Sequence, residues 1–359
     1  MKKLLFLSAA SSIHTVKWVN ALSEYYEVHL AYCLNHAPTI HKISDKVILH
    51  QLKYKAKLGY YLNAHALKKV YQEVKPDIIN VHYASGYGTL ARLAKLPNII
   101  LNVWGSDVYD FPNESNFKRN ILKKNLLYAK TLASTSNVMA REVKRQFPDL
   151  NKEIYTTPFG VDTAKFKKLN SKKTNDFVIG NIKALSPKYG IKYIILGVDD
   201  FIKKLGKEKQ KTIKCHIYGD GDQKEELQEL INSLGLENNV ILKGRIPNEE
   251  VPKVLNGFDV FCAASVINSE SFGVAIVEAM SSEVPVIATK IDGFSEVMVD
   301  KETGIMVDKE NYKQISEALE YMYKNEKKRE EFGKNGRKRV LENYDWKQNV
   351  KDLIKVYEK

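Results

Sequence analysis

Short apolar runs rich in β-branched residues alternate with stretches of helical periodicity along the whole chain. In the first half the runs predict strands at residues 2–8, 28–33, 77–82, 99–103, 131–134 and 154–157, with helices between most of them, among them 14–24, 58–73 and 137–146. The run IILNV at 99–103 is apolar at nearly every position, as a strand covered by helices on both faces requires. This pattern predicts a doubly wound, Rossmann-like α/β domain. A charged, Asn/Ser/Thr-rich stretch at 165–176 interrupts it, and the alternation then begins again with strands at 177–181, 212–218, 240–243, 260–264 and 284–288. From about residue 313 the pattern is helical, ending in the amphipathic stretch 346–357. The expected organisation is a first domain over 1–165, a linker and hinge over 166–176, a second Rossmann-like domain over 177–340 and a terminal helix over 341–359. The two domains are expected to face each other across a cleft between the carboxyl edges of their sheets. Ligands of open α/β sheets sit at those edges, so chemistry is sought in the strand-to-helix loops.

Composition narrows the class. A chain of 359 residues exceeds what one core usually serves. Its 44% hydrophobic and 10% aromatic content suits a folded protein, and no apolar run is long enough for a membrane span. The apolar stretch 4–7 is too short for a signal-peptide core, so the protein is expected to be unexported and cytoplasmic. Cys33, Cys215 and Cys262 lie far apart in strand-like runs and read as buried, inert thiols. The net charge of +13 asks for an anionic partner. Nucleic acid is set aside, because no stacking or helix-turn-helix pattern accompanies the charge. Segment 51–75 alternates basic residues with Tyr and Leu, so an anionic membrane surface is a candidate partner, with peripheral association at the inner face of the plasma membrane. The competing reading is a solvated helix whose tyrosines pack on a sheet.

The densest loop runs from Ser265 to Met280 and opens a helix near Phe272. A helix start flanked by Ser and Gly offers free N–H groups and a positive dipole end to a diphosphate. Gly273 lets backbone approach a ligand closely. Glu278 sits in the apolar run VAIVEAM, where an ionised carboxylate is costly without a donor. Ribose hydroxyls are suitable donors, and a local lysine or backbone amide would serve equally well. We expect no Asp-x-Asp metal site at a strand end, and hence no divalent-metal dependence. In the first domain, Ser12 is small enough to let its loop approach a ligand, and His14 opens the next helix, as a cap or a cleft residue.

The spacing Glu270-x7-Glu278, with Phe272-Gly273 after the first carboxylate and Ala279-Met280 after the second, resembles the family-four retaining glycosyltransferases, the group 1 glycosyl transferases of the GT-B fold. PFGVDTAKF at 158–166, GNIKALSPKYGIKYII at 180–195, YGDGD at 218–222, LKGRIPNEEVPKVLNGFDVF at 242–261 and the text from 285 to 307 are also similar to that family, in the expected order. The resemblance implies that Glu278 holds the ribose, that Glu270 contacts the donor sugar and that the backbone at Phe272-Gly273 lies near sugar and phosphate. It further implies that Lys183 and Lys188 neutralise the departing diphosphate, with Arg245 near the base. The co-substrate is then a nucleotide-diphosphate sugar, expected to be a UDP-sugar, with no further cofactor. The acceptor is a glycan or a lipid-linked molecule, and the terminal helix crosses back to the first domain. Many members place a His before Gly-Ser-Asp; Trp104 stands there here, which leaves Asp107 as a catalytic candidate and His14, His82 and Trp104 as acceptor or cleft candidates. The family usually has Gly where Glu283 stands, and often Gly-Gly at Asp292-Gly293; both departures are expected to affect sugar choice at the rim. Competing functions are a nucleotide-sugar epimerase or phosphorylase of related fold and a catalytically silent sugar-nucleotide-binding partner.

Overall fold

The apolar runs become two separate parallel sheets in the computed structural model, which describes residues 1–169 and 175–359. The chain divides into one unit of Met1–Phe159 with Lys347–Lys359 and a second of Gly160–Trp346. Residues 170–174, in the middle of the expected linker, lie outside the described residues.

The first unit holds strands β1 (Lys3–Leu7), β2 (Glu27–Cys33), β3 (Ile48–Leu52), β4 (Ile78–His82), β5 (Ile100–Val103), β6 (Thr131–Ser134) and β7 (Ile154–Thr156). They form one parallel sheet in the order β3-β2-β1-β4-β5-β6-β7. Strand order therefore reverses between β1 and β4, which opens a crevice at their carboxyl ends. Leu5, Leu7, Val81 and Leu101 of the sheet pack with Leu67, Tyr87, Leu90, Leu122 and Met139 of the helices. Each such leucine contributes roughly 1.5–3 kcal/mol on burial.

Sequence reading missed β3. It is an edge strand with three of its five residues exposed, so it carries no buried run to read. The helix expected over 58–73 is divided into Gly59–Leu62 and Ala64–Val74. The buried Asn63 side chain accepts from Tyr54 N–H at 3.0 Å and donates to Tyr54 C=O at 3.0 Å, closing a loop at the junction. The terminal helix Trp346–Tyr357 packs into this unit: Asn349 donates to the Pro158 carbonyl at 3.2 Å, and Tyr357 meets Tyr26 edge-on at 5.8 Å.

The second unit holds β8 (Phe177–Ile182), β9 (Ile213–Tyr218), β10 (Val240–Gly244), β11 (Val260–Ala263), β12 (Val286–Thr289) and β13 (Gly304–Val307), in the order β10-β9-β8-β11-β12-β13. The reversal falls between β8 and β11. The unread strand β13 is four residues long and opens on a glycine, too short a run for a periodicity. Ile179, Ile217, Ile194, Phe201 and Leu319 are fully buried in this core. All three cysteines are buried, and burial pushes the Cys215 thiol up to about 12.

Candidate active site

In the second unit, the loops leaving β8 and β11 stand side by side because those strands are neighbours at the reversal. The β8 loop carries Lys183 and the β11 loop carries Glu270. Lys183 Nζ lies 2.9 Å from Glu270 Oε1 and 2.8 Å from Oε2. Both side chains are largely buried, at 26% and 15% exposure, so the ion pair is shielded from water but still reachable. Lys183 Nζ also lies 4.5 Å from the centre of the Tyr189 ring, and Lys188 Nζ lies 4.9 Å from it. One aromatic ring thus gathers two cations.

Lys183, Tyr189, Ser265, Glu270, Gly273 and Phe294 line a common pocket. Gly273 starts the helix Val274–Ser281 with a left-handed φ of 81°. Ala275 lines the same pocket, and Glu278, three residues on and half-buried, shares its helix face. Phe272 is buried, with its ring edge-on to Tyr344 at 5.4 Å, so only its backbone is offered to the site. Two glycines set the approach of the loops. A Cβ on Gly293 would stand 2.2 Å from the Glu270 carbonyl oxygen, and one on Gly219 would stand 1.9 Å from that of Lys183. Side chains at these positions would push apart the backbones that carry the ion pair. The β11 loop is held further by Val266 N–H donating to the Lys188 carbonyl at 2.9 Å. Arg245, on the β10 loop, is exposed and lies 3.6 Å from Asp220.

Two expectations for this unit are corrected. An Asp-x-Asp pattern does sit near a strand end: Asp220-Gly221-Asp222 follows β9 after Gly219. Glu283 is not at the rim of the pocket. It lies in the turn before β12, at the amino edge of the sheet, where its φ of 58° explains why glycine suits the position. Its carboxylate pairs with Lys168 at 3.2 Å. Asp292 does open the helix after β12, on the pocket side.

In the first unit, Ser12 precedes the helix Ile13–Leu22 in the loop after β1. His14 stacks on Phe159 at 4.3 Å and meets Trp104 edge-on at 6.0 Å. Trp104 in turn lies 5.2 Å from Phe159 and 4.6 Å from His82. Three candidates therefore join one aromatic cluster at the carboxyl edge, with His14 and Trp104 half-buried.

His82 is corrected as a cleft residue, since only 1% of it is exposed. Its Nε2 meets Asn80 Nδ2 at 2.9 Å, its Nδ1 has no hydrogen-bond partner among the described residues, and burial holds its pKa well below the ordinary value. Asp107 is corrected as a catalytic residue. It is wholly buried, and its carboxylate accepts from the N–H groups of Trp104 (3.0 Å), Gly105 (2.8 Å) and Ala84 (2.8 Å). Burial raises its pKa while these amides pull it down. Asp107 clamps the β5 loop to the β4 loop and so fixes Trp104. Tyr189 and Phe159 escaped the sequence reading; the only signal was their place inside the strings SPKYG and PFGVD.

Comparison with known proteins follows the same division. The family model described as Glycosyl transferases group 1 matches residues 162–339, and one described as Glycosyl transferase 4-like matches residues 3–136. The chain is 25% identical over 321 residues to an uncharacterized glycosyltransferase of Methanocaldococcus jannaschii, covering 87% of this chain and 85% of that protein. It is 26% identical over 316 residues to the capsular polysaccharide biosynthesis glycosyltransferase CapM of Staphylococcus aureus, covering 82% and 81%. Among solved structures, Anabaena HepE in complex with UDP superposes with a TM-score of 0.79 at 17% identity, over 99% of each chain.

Proposed function

Because this chain belongs to the group 1 glycosyltransferases, with the GT-B fold, we propose that it transfers a sugar from a nucleotide-diphosphate sugar to a glycan or lipid-linked acceptor with retention of anomeric configuration. The observation that carries this reading is the meeting of Lys183, Glu270 and Gly273 around one pocket at the strand-order reversal. A uridine diphosphate donor is supported by the likeness to a UDP-bound structure, and a role in polysaccharide or glycoconjugate synthesis by the likeness to CapM.

In this reading Glu278 accepts hydrogen bonds from the ribose hydroxyls and Glu270 from the donor sugar. The acceptor oxygen bonds to the anomeric carbon as the bond to the diphosphate breaks, and the acceptor proton passes to the departing phosphate oxygen. Negative charge grows on that phosphate. Lys183, released from Glu270, together with Lys188 and the N–H groups at the start of Val274–Ser281, stabilises it. We further propose that transfer needs no divalent metal, because Lys183 and Lys188 supply the cationic charge that the departing diphosphate requires.

A thermal-shift series with UDP and UDP-sugars tests the donor assignment, since a ligand of the native state raises Tm. The expected result is a rise that Glu278→Gln diminishes; no rise with any nucleotide would overturn it. Retention is read from the anomeric configuration of the product. Turnover that survives chelation supports the metal-free reading, and turnover abolished by chelation and restored by Mg²⁺ refutes it.

A further inference from the structure

We propose that the turn between β3 and the helix Ala64–Val74 is a docking surface for an anionic lipid bilayer, with Leu58, Tyr61 and Leu62 entering the headgroup–acyl boundary. The site lies wholly in the first unit. It does not rest on the donor assignment, and the two can fail separately.

The argument starts from what the turn hides and what it shows. Asn63, fully buried, ties both backbone groups of Tyr54 to the far end of the turn. Gly59 fits beneath because a Cβ there would stand 2.7 Å from the Tyr54 carbonyl oxygen. Tyr60 points inward and meets Tyr87 edge-on at 5.3 Å. The turn is therefore locked from within. Its outward positions nonetheless carry Leu58, Leu62 and Tyr61 at 73%, 56% and 49% exposure. A solvated turn gains nothing from such residues, whereas water loses the cost of their hydration when they enter an apolar medium.

Charge identifies the partner. From residue 46 to residue 72 the sequence has no Asp or Glu and six lysines, and Lys53, Lys55 and Lys57 stand exposed just before the apolar tip. An apolar tip ringed by cations matches a bilayer that offers acyl chains behind anionic headgroups. Two copies of this patch would repel each other, which disfavours self-association as the occupant. The surface is not the continuous amphipathic helix that segment 51–75 suggests, because residues 51 and 52 finish β3 and Asn63 separates the two helices.

The test is co-sedimentation of the full chain with phosphatidylcholine vesicles and with vesicles of phosphatidylcholine and phosphatidylglycerol, at low and high salt. The wild type is expected to bind the anionic vesicles and to be released by salt. Lys55→Gln with Lys57→Gln is expected to weaken binding roughly thirtyfold, at about fivefold per lysine near the surface, and to flatten the salt dependence. Leu58→Ser with Leu62→Ser weakens binding at every salt concentration; both residues are exposed, so melting temperature is expected to match the wild type. Absent binding, equal binding to neutral vesicles, or binding unchanged in both double variants overturns the proposal. So does a concentration-dependent dimer that Leu58→Ser abolishes, which would assign the patch to a second copy.

Discussion

Replacing Glu270 by Gln separates two roles that the ion pair ties together. In the structure Lys183 answers Glu270 at 2.8 Å, so an incoming diphosphate must draw the ammonium away from a carboxylate. At an effective dielectric of about 20, a pair at this distance attracts by about 6 kcal/mol before solvation. Water recovers most of that when either group is released, and hydrogen bonds to charged groups retain roughly 1.5–3 kcal/mol net, exposed pairs roughly 0.2–1. With one partner at 15% and the other at 26% exposure, a net value of about 1–2 kcal/mol lies between these limits. Glu270→Gln keeps the shape and removes the charge. UDP should therefore bind roughly 5–30-fold more tightly to the variant, while sugar transfer falls because the carboxylate is lost from the donor sugar. Titration calorimetry with UDP and a transfer assay measure the two arms. Unchanged or weaker UDP affinity would refute the view that the pair competes with the diphosphate. Full turnover would refute the role of Glu270 at the sugar.

Other outcomes follow from single contacts. Asp107→Asn replaces a charged acceptor of three amides and should lower stability by roughly 1–3 kcal/mol in a melting experiment, with UDP affinity unchanged because the clamp lies in the other unit. Gly293→Ala places a methyl group against the Glu270 backbone and should cost roughly 1–3 kcal/mol together with donor affinity; a variant with wild-type melting and affinity would show that the loop yields freely. Burial depresses the pKa values of His82, His36 and His50 below the usual 6.5. The unfolded chain then binds more protons than the native one, so stability is present above the ordinary histidine value and is lost as pH falls through it. His82→Gln, which keeps the acceptor facing Asn80, should make the fall of Tm between about pH 7 and about pH 5 shallower; an unchanged slope would place the effect elsewhere.

The fold was legible where strands are buried on both faces. Strands β4, β5, β8 and β11 show as mainly apolar runs, and the loop motifs fall at their carboxyl ends. Strand β3 was invisible because an edge strand exposes the residues whose burial would give it away. The chemistry of Glu270 was legible as a motif, but its pairing with Lys183 was not. These residues are 87 positions apart, and only the adjacency of β8 and β11 brings them together. Asp107 misled for a related reason. A sequence displays a carboxylate without the amides it accepts, and backbone N–H groups leave no trace in residue identity. Trp104 could be named as a substitution for the usual His, but its place among His14, His82 and Phe159 depends on three other segments of the chain.

The helix Trp346–Tyr357 ends in the unit that contains Met1, after the whole second unit has been traversed. During synthesis the first sheet emerges early, but the helix that covers Tyr26 and the Pro158 carbonyl is made only after the whole second unit. The amino-terminal unit must therefore wait, incompletely covered, until residues 347–359 have been made, while the second unit already has all its residues. A nonsense mutation just before Lys347 would therefore injure the first unit, and residues 1–159 expressed alone would lack a wall of their own domain.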